Sequence, residues 1–483
     1  MKKITIDPIT RLEGHGKIEI FLNDDGNVED AYLQIPELRG FEKFCEGRRA
    51  ELMPQITSRI CGVCPVAHHM ASTKALDMAF HTEPTETAKK LRELMYCGYI
   101  IYDHILHFYF LGGPDFIVGP TAPKEKRNIF GVIEKVGEEL GREVIKHRAY
   151  GQRITEIIGG KATHPVCGMP GGVTKAINEE ERQRIENMLE SCVEFAQKSL
   201  EIFKEIVLKN DEYLKLIKEN KQYVYNMGLV DDKNRLNFYD GKVRVTSPDG
   251  EEFVKFPPEK YLEVIEEKIL SWSYVKFPYL KKVGWKGFVD GRDSGIYRVG
   301  PLGRLNVSEG MATPLANAEF QEFYDFAGER PASQVLLYHW ARLIEVLYAA
   351  ERGMELVKDR GITSQNIRNP IIKVGGEGIG IVEAARGTLI HHYWVDEEGL
   401  IKKVNLIVAT TNNNASINLA IKRASKNYIK GGEISEGLLN TIEMFYRAYD
   451  PCMACASHAS LGTPPIEIIV HYKDGRVRRL RNT

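Results

Sequence analysis

Apolar and polar residues alternate along positions 4–22 and, after the turn Asn23-Asp24-Asp25-Gly26, again to about 35. That alternation predicts a β-hairpin or meander. Arg11-Leu12-Glu13-Gly14-His15 interrupts it, and glycine at such a break implies close backbone approach. The period then lengthens to that of a helix. Pro65 suits a first helical position, with a helix expected over about 66–80. A longer helix over about 85–111 places Asp103 and His107, four apart, on one face. Further helices are predicted at about 128–157, 178–216 and 314–360, the last interrupted at Glu329-Arg330-Pro331 because proline stops or kinks a helix. The stretch 223–300 is aromatic, proline-rich and irregular, and reads as loops and short strands covering a bundle. Strand-like runs follow at 371–374, 388–396 and 400–409, the last two joined by Glu397-Glu398-Gly399. A polar knot, Thr410-Thr411-Asn412-Asn413-Asn414, leads into a helix over about 417–449 with a break near Gly431. Alternation at 466–472 and 477–480 predicts a small terminal hairpin. With no repeat and no low-complexity linker, the fold class expected is α+β and mainly helical, a long-helix bundle with small peripheral sheets in one intertwined unit.

Composition narrows the class. The chain has 483 residues, 43% hydrophobic and 27% charged, as in a soluble globular protein. Its net charge of −1 gives no electrostatic case for nucleic acid. No window approaches the ~20 apolar residues of a transmembrane segment, and the N-terminus lacks an apolar signal core. A cytoplasmic location is therefore expected.

The candidate chemistry lies in cysteine. Eight cysteines are too few for a disulfide scaffold in a chain of this length. Cys45, Cys97, Cys167 and Cys192 are scattered through apolar or helical stretches, where they read as small buried hydrophobes. The other four form two C-x-x-C pairs, Cys61/Cys64 and Cys452/Cys455, at opposite ends of the chain. Such pairs often hold structural zinc, but zinc modules close within tens of residues around a local knuckle. Four thiolates on ligand softness alone admit nickel, copper(I), iron–sulfur or zinc. Cys61 and Cys64 precede a predicted helix, whose positive end favours thiolate.

Arg59-Ile60-Cys61-Gly62-Val63-Cys64 followed by His68, and Asp450-Pro451-Cys452 followed by Cys455 and His458, resemble the two signatures of the nickel–iron hydrogenase large, catalytic subunit. Arg11 with Glu13-Gly14-His15, Arg39-Gly40-Phe41-Glu42, the stretch from Asp103 to His107 and Arg386-Gly387 extend the resemblance along the chain. The family usually has proline before that arginine; here Ala385 stands.

The resemblance implies reversible heterolytic cleavage of H2 to protons and electrons. It implies Ni held by Cys61, Cys64, Cys452 and Cys455, with Cys61 and Cys452 terminal and Cys64 and Cys455 bridging to an Fe that carries CO and two CN ligands. It makes Cys452 the first proton acceptor and Glu13 the relay, a carboxylate in reach of a thiolate being able to carry its proton away. Arg386 becomes a polariser held by Asp103 and Asp450, and His68 a hydrogen-bond donor to a bridging sulfur. Glu42, His458 and the carbonyl of Asn414 are implied ligands of a C-terminal Mg or Fe. The chain has no cysteines left for clusters of its own, so its expected partners are an iron–sulfur small subunit, a heterodisulfide reductase complex and a further electron-transfer subunit. The subgroup resembled is cytoplasmic, viologen-reducing and not coenzyme-F420-reducing; coenzyme-F420-reducing and membrane-linked energy-converting hydrogenases are the alternatives, and a structural zinc-tetrathiolate scaffold the remote one. Residues 1–458 are expected to form the catalytic domain, and 459–483 a maturation peptide cut after His458.

Overall fold

The structure, a computed structural model, describes residues 2–458, 467–472, 474 and 476–481. The N-terminal alternation folds as an antiparallel three-stranded sheet, Lys2–Ile6, Lys17–Leu22 and Val28–Gln34, with Arg11 to His15 looped out between the first two strands. Ile18, Ile20, Leu22, Ala31 and Leu33 are buried on its inner face.

The centre is a bundle of long helices, Glu86–Leu106, Glu138–Gly159, Glu179–Phe203 and Tyr338–Val357. The predicted 85–111 helix ends in a π-helical turn, His107–Gly112, and the predicted 128–157 helix is two helices divided at Gly137. Helix Pro65–Ala79 is buried on nearly every side, so its apolar residues show no single face. It lies along the strand Gly376–Ala384, close enough that a Cβ at Gly380 would sit 1.9 Å from the carbonyl oxygen of Ala71. Only glycine permits that approach.

That strand corrects the expectation of one at 371–374. Its alternate glycines hide the periodicity, and it pairs in register with Gly387–Val395, which pairs in turn with Ile401–Ile407. The hairpin closes between Ala384 and Gly387, so Ala385 and Arg386 occupy a two-residue turn. The polar knot is corrected as well. Thr410 to Asn414 form the first turns of the helix Ala409–Tyr428, with their side chains buried. Threonine and asparagine are poor helix formers because their side chains compete for backbone. Here those side chains serve neighbouring segments: Asn412 Nδ2 donates to Thr388 O (2.7 Å), and Asn413 Nδ2 to Arg386 O (3.0 Å). After the break, Glu436–Ala448 delivers the second cysteine pair. The strands Glu467–His471 and Val477–Arg481 form the expected hairpin; the expected cut site after His458 falls at residues 459–466, outside the described residues.

Candidate metal centre

Cys61 lies just beyond a turn at Ser58–Ile60, and Cys64 caps the helix Pro65–Ala79. Cys452 starts a single helical turn, Met453–Ala456, that carries Cys455. Although Cys61 and Cys452 are 391 residues apart in sequence, their sulfurs are 3.4 Å apart, and those of Cys64 and Cys455 are 3.3 Å apart. All four sulfurs lie within 4.8 Å of one another, the only such group of potential metal-ligating side chains among the described residues. Each is buried, and none is in a disulfide. Cys45, Cys97, Cys167 and Cys192 are buried singly, as their apolar settings predict.

Backbone contacts bring the two stretches together. Glu13 pairs with Cys452 as an isolated parallel bridge, Met453 N donating to Glu13 O at 2.8 Å. Gly14, at φ 82°, lies so close that a Cβ would be 2.7 Å from Ala454 N. Arg39 spans both stretches: its guanidinium donates to Ile60 O, next to Cys61, and to Ala454 O (3.0 Å), while its backbone N donates to Ser457 O (2.6 Å). The sequence showed Arg39 only as part of a signature. Its clamping role depends on carbonyls that carry no residue-type signal.

The donor set suits a metal cation. Thiols of Cys452, Cys455 and Cys64 donate to Cys61 and hold it well below the usual thiol range. Cys64, despite hydrogen bonds from Cys452 and Cys455, is pushed up to about 11, and burial drives Cys452 and Cys455 well above the usual range. One negative charge thus suppresses the rest, and four thiolates can coexist there only around a metal, which deprotonates its ligands.

Around the sulfurs stand the expected polar residues. Glu13 Oε2 accepts from Cys452 Sγ at 2.9 Å and from Ala454 N at 3.1 Å. Burial, reinforced by the negative charge on Cys61, raises the Glu13 pKa. Arg386 donates to Asp103 Oδ2 (3.0 Å), Asp450 Oδ1 (3.0 Å) and Asp450 O (2.7 Å). Despite burial, Asp103 and Asp450 hold its guanidinium well above the ordinary value; burial in turn raises both acids against the pull of Arg386. The N–H of Ala385, which proline would lack, donates to Tyr99 Oη at 3.0 Å. Arg342 approaches from behind, donating to Ala448 O at 2.9 Å, and His107 Nδ1 lies 2.8 Å from Asp450 Oδ1 outside hydrogen-bonding geometry.

His68 is wholly buried, and burial lowers its pKa to about 3. Its Nδ1 meets His391 Nε2 at 3.1 Å, and its Nε2 has no hydrogen-bond partner. The neighbouring His69 is a structural histidine, Nδ1 on Pro54 O (3.0 Å) and Nε2 on Gly168 N (2.8 Å). At the C-terminal side, Glu42 Oε1 accepts from Leu406 N (2.8 Å), and His458 Nε2 lies 2.9 Å from Leu406 O. Asn414 is placed differently from expectation. It is inside the Ala409–Tyr428 helix, which engages its carbonyl, and its side chain donates to Lys276 O at 2.8 Å. The carbonyl beside His458 is that of Leu406, a strand residue with no polar side chain to mark it.

Comparison with known proteins agrees with this geometry. A nickel-dependent hydrogenase family model matches residues 39–128 and 229–458, and a HoxL-like model residues 3–38. The chain is 48% identical, over 100% of both sequences, to an F420-non-reducing hydrogenase iron-sulfur subunit of Archaeoglobus profundus. It is 47% identical to a vhu-type F420-non-reducing hydrogenase subunit of Methanocaldococcus jannaschii, over 88% of this chain and 99% of that one. An NAD+-reducing [NiFe]-hydrogenase in the H2-reduced state superposes with a TM-score of 0.90 at 38% identity, covering 95% of this chain and 100% of the other. With its four cysteines converged on one buried point, the protein belongs to the nickel-dependent hydrogenase family, as the catalytic subunit.

Proposed function

We propose that Cys61 and Cys452 are terminal nickel ligands and that Cys64 and Cys455 bridge nickel to an iron carrying one carbon monoxide and two cyanides. The contact that carries the catalytic reading is Cys452 Sγ to Glu13 Oε2 at 2.9 Å. Bound among the four sulfurs, the metals would supply the Lewis acidity and two-electron redox capacity that hydrogen cleavage needs. The chain's own part is proton handling. Cys452 Sγ takes the proton released from hydrogen and Glu13 Oε2 receives it; the buried setting that makes Glu13 a weaker acid brings the two affinities closer together. Arg386, kept charged by its two aspartates, presents a fixed cation over the site, and His68 donates to a bridging sulfur.

Glu42, His458 and the Leu406 carbonyl would hold a magnesium or iron ion that ties the C-terminal end of the domain to the strand Ile401–Ile407. Electrons pass to an iron–sulfur small subunit, since the four remaining cysteines are dispersed and buried. A heterodisulfide reductase complex and a further electron-transfer subunit complete the electron path in the cytoplasm. The relatives named F420-non-reducing favour that acceptor class over coenzyme-F420-reducing hydrogenases. Among the described residues no helix is long and apolar enough to cross a membrane. Residues 1–458 act as the catalytic domain, and 459–483 are a maturation peptide removed after His458. Intact mass of active protein tests this: a C-terminus at Thr483 in fully active enzyme rejects it.

Metal analysis of the purified complex tests the centre itself. Nickel and iron are expected together, both lost in Cys64→Ser. Zinc at four-thiolate stoichiometry without nickel would overturn the reading.

A further inference from the structure

A line of three buried side chains runs from His68 into the strand behind it. His68 Nδ1 meets His391 Nε2 at 3.1 Å, and His391 Nδ1 meets Tyr393 Oη at 2.6 Å. His68 and His391 are on different elements, the helix Pro65–Ala79 and the strand Gly387–Val395, and their ring centroids are 5.3 Å apart. All three are fully buried, and the far nitrogen of His68, Nε2, has no partner.

A hydrogen bond between two imidazoles needs one N–H and one bare nitrogen, so the two tautomers are coupled. Both rings are wholly buried, and burial disfavours the charged imidazolium. Only two arrangements then exist. In one, Tyr393 donates to His391 Nδ1, His391 Nε2–H donates to His68 Nδ1, and His68 carries its proton on Nε2. In the other every bond is reversed and His68 Nε2 is a bare lone pair. A phenol, with a reference pKa near 10, is a far better proton donor than a neutral imidazole N–H. Phenol-to-imidazole is therefore the favoured sense of a 2.6 Å contact.

We propose that Tyr393 and His391 are positioning residues that fix His68 as its Nε2–H tautomer, so that the buried ring nitrogen with no partner, on the helix that Cys64 caps, is an N–H donor. This rests on the hydrogenase reading for its purpose, since a donor at that point lowers electron density on a cysteine sulfur, but the tautomer can be measured without turnover. Such outer partners of metal ligands fix tautomer and orientation. With His68 on a bridging sulfur, as proposed above, the reverse arrangement would set a lone pair against the sulfur's own and weaken the site.

The adjacent His69 is a built-in control. Pro54 O can only accept and Gly168 N–H can only donate, so His69 must carry its proton on Nδ1. Nitrogen NMR of the full-length chain, labelled with 15N in its 13 histidines and assigned by difference with His68→Gln and His69→Gln, reads both tautomers. In the wild type, His68 is expected as Nε2–H and His69 as Nδ1–H. In Tyr393→Phe the donor is lost: His68 signals move toward a mixture of tautomers while those of His69 stay in place. In the assembled complex the same variant keeps its nickel and loses about 10-fold in hydrogen-dependent dye reduction. A wild-type His68 protonated on Nδ1, or a Tyr393→Phe protein with unchanged His68 signals, overturns the proposal. The wild-type measurement decides alone if the variant does not fold. Loss of nickel–iron chemistry with the tautomers as expected would count against the hydrogenase reading and leave the relay standing.

Discussion

Glu13 and Asp103 are both carboxylates at the cysteine site, Glu13 on the thiol of Cys452 and Asp103 on Arg386, and burial makes both weaker acids than free side chains. Their wiring differs. Asp103 is fully buried and spends one oxygen on Arg386, a partner it shares with Asp450. Glu13 is only partly buried, faces a thiol and a backbone N–H, and sits between the strands Lys2–Ile6 and Lys17–Leu22. A raised pKa therefore does not by itself identify a proton carrier. On the proposed mechanism Glu13 is distinguished by its contact with Cys452 Sγ together with its partial exposure; Asp103 has neither.

The largest effect expected from this difference is in Glu13→Gln. The amide keeps the shape and cannot take a proton, so hydrogen turnover should fall on the order of 10²–10⁴-fold with nickel retained. Stability should hold or rise slightly above neutral pH. A group whose folded pKa is raised contributes stability below its unfolded pKa and loses it as pH rises through the folded value, and glutamine removes that loss. Full activity in Glu13→Gln would remove the distinction between the two carboxylates. Arg386→Lys should cost less in rate, roughly 10–100-fold, but also about 3 kcal/mol in stability, because lysine cannot reproduce three forked bonds to Asp103 and Asp450. Thermal melts beside dye-reduction assays separate the two patterns.

Gly14→Ala acts on geometry alone. A Cβ there would crowd Ala454 N at 2.7 Å, and a φ of 82° disfavours any side chain. The bridge between Glu13 and Cys452 should open, with about 1–2 kcal/mol lost and turnover reduced about 10-fold at unchanged nickel content. A larger loss in Gly14→Ala than in Glu13→Gln would mean that the backbone bridge, and not the carboxylate, is the critical contact.

The sequence made most of this site legible because its working groups are unusual side chains in short spacings. The cysteine pairs, Glu13, Arg386, Asp103 and Asp450 were all readable as residues, and the structure brings them together. What escaped was carried by the backbone or by residues of ordinary appearance. The Leu406 carbonyl, the Arg39 contacts to Ile60 O and Ala454 O, and the His391–Tyr393 pair within an apolar strand have no local signature. The strand Gly376–Ala384 was hidden because helix proximity demands glycine where the pattern would show a side chain, and the asparagine cluster because buried amides resemble a loop until their partners are known.

The smallest expected effect is at Asp103, and its sign tests the comparison most closely. Two acids share one guanidinium in a buried space, so the trio with both ionised would carry a net negative charge beside the thiolates. Burial and repulsion from Asp450 favour the protonated acid at Asp103, against the pull of Arg386. Asparagine keeps the shape and an oxygen acceptor for Arg386, and Asp103→Asn should change turnover less than about 10-fold, below the usual cost of losing a metal site's outer contact. The stability difference has a direction. With its folded pKa raised, wild-type Asp103 contributes most below the free aspartate value of about 3.9 and loses that contribution as pH rises. The melting temperature of the wild type should therefore fall relative to Asp103→Asn between pH about 4 and 8. The opposite trend, a variant progressively weaker at high pH, would show an ionised Asp103 locked on Arg386. The aspartate would then be a fixed counter-charge at every working pH, and its contrast with the proton carrier proposed at Glu13 would become sharper still.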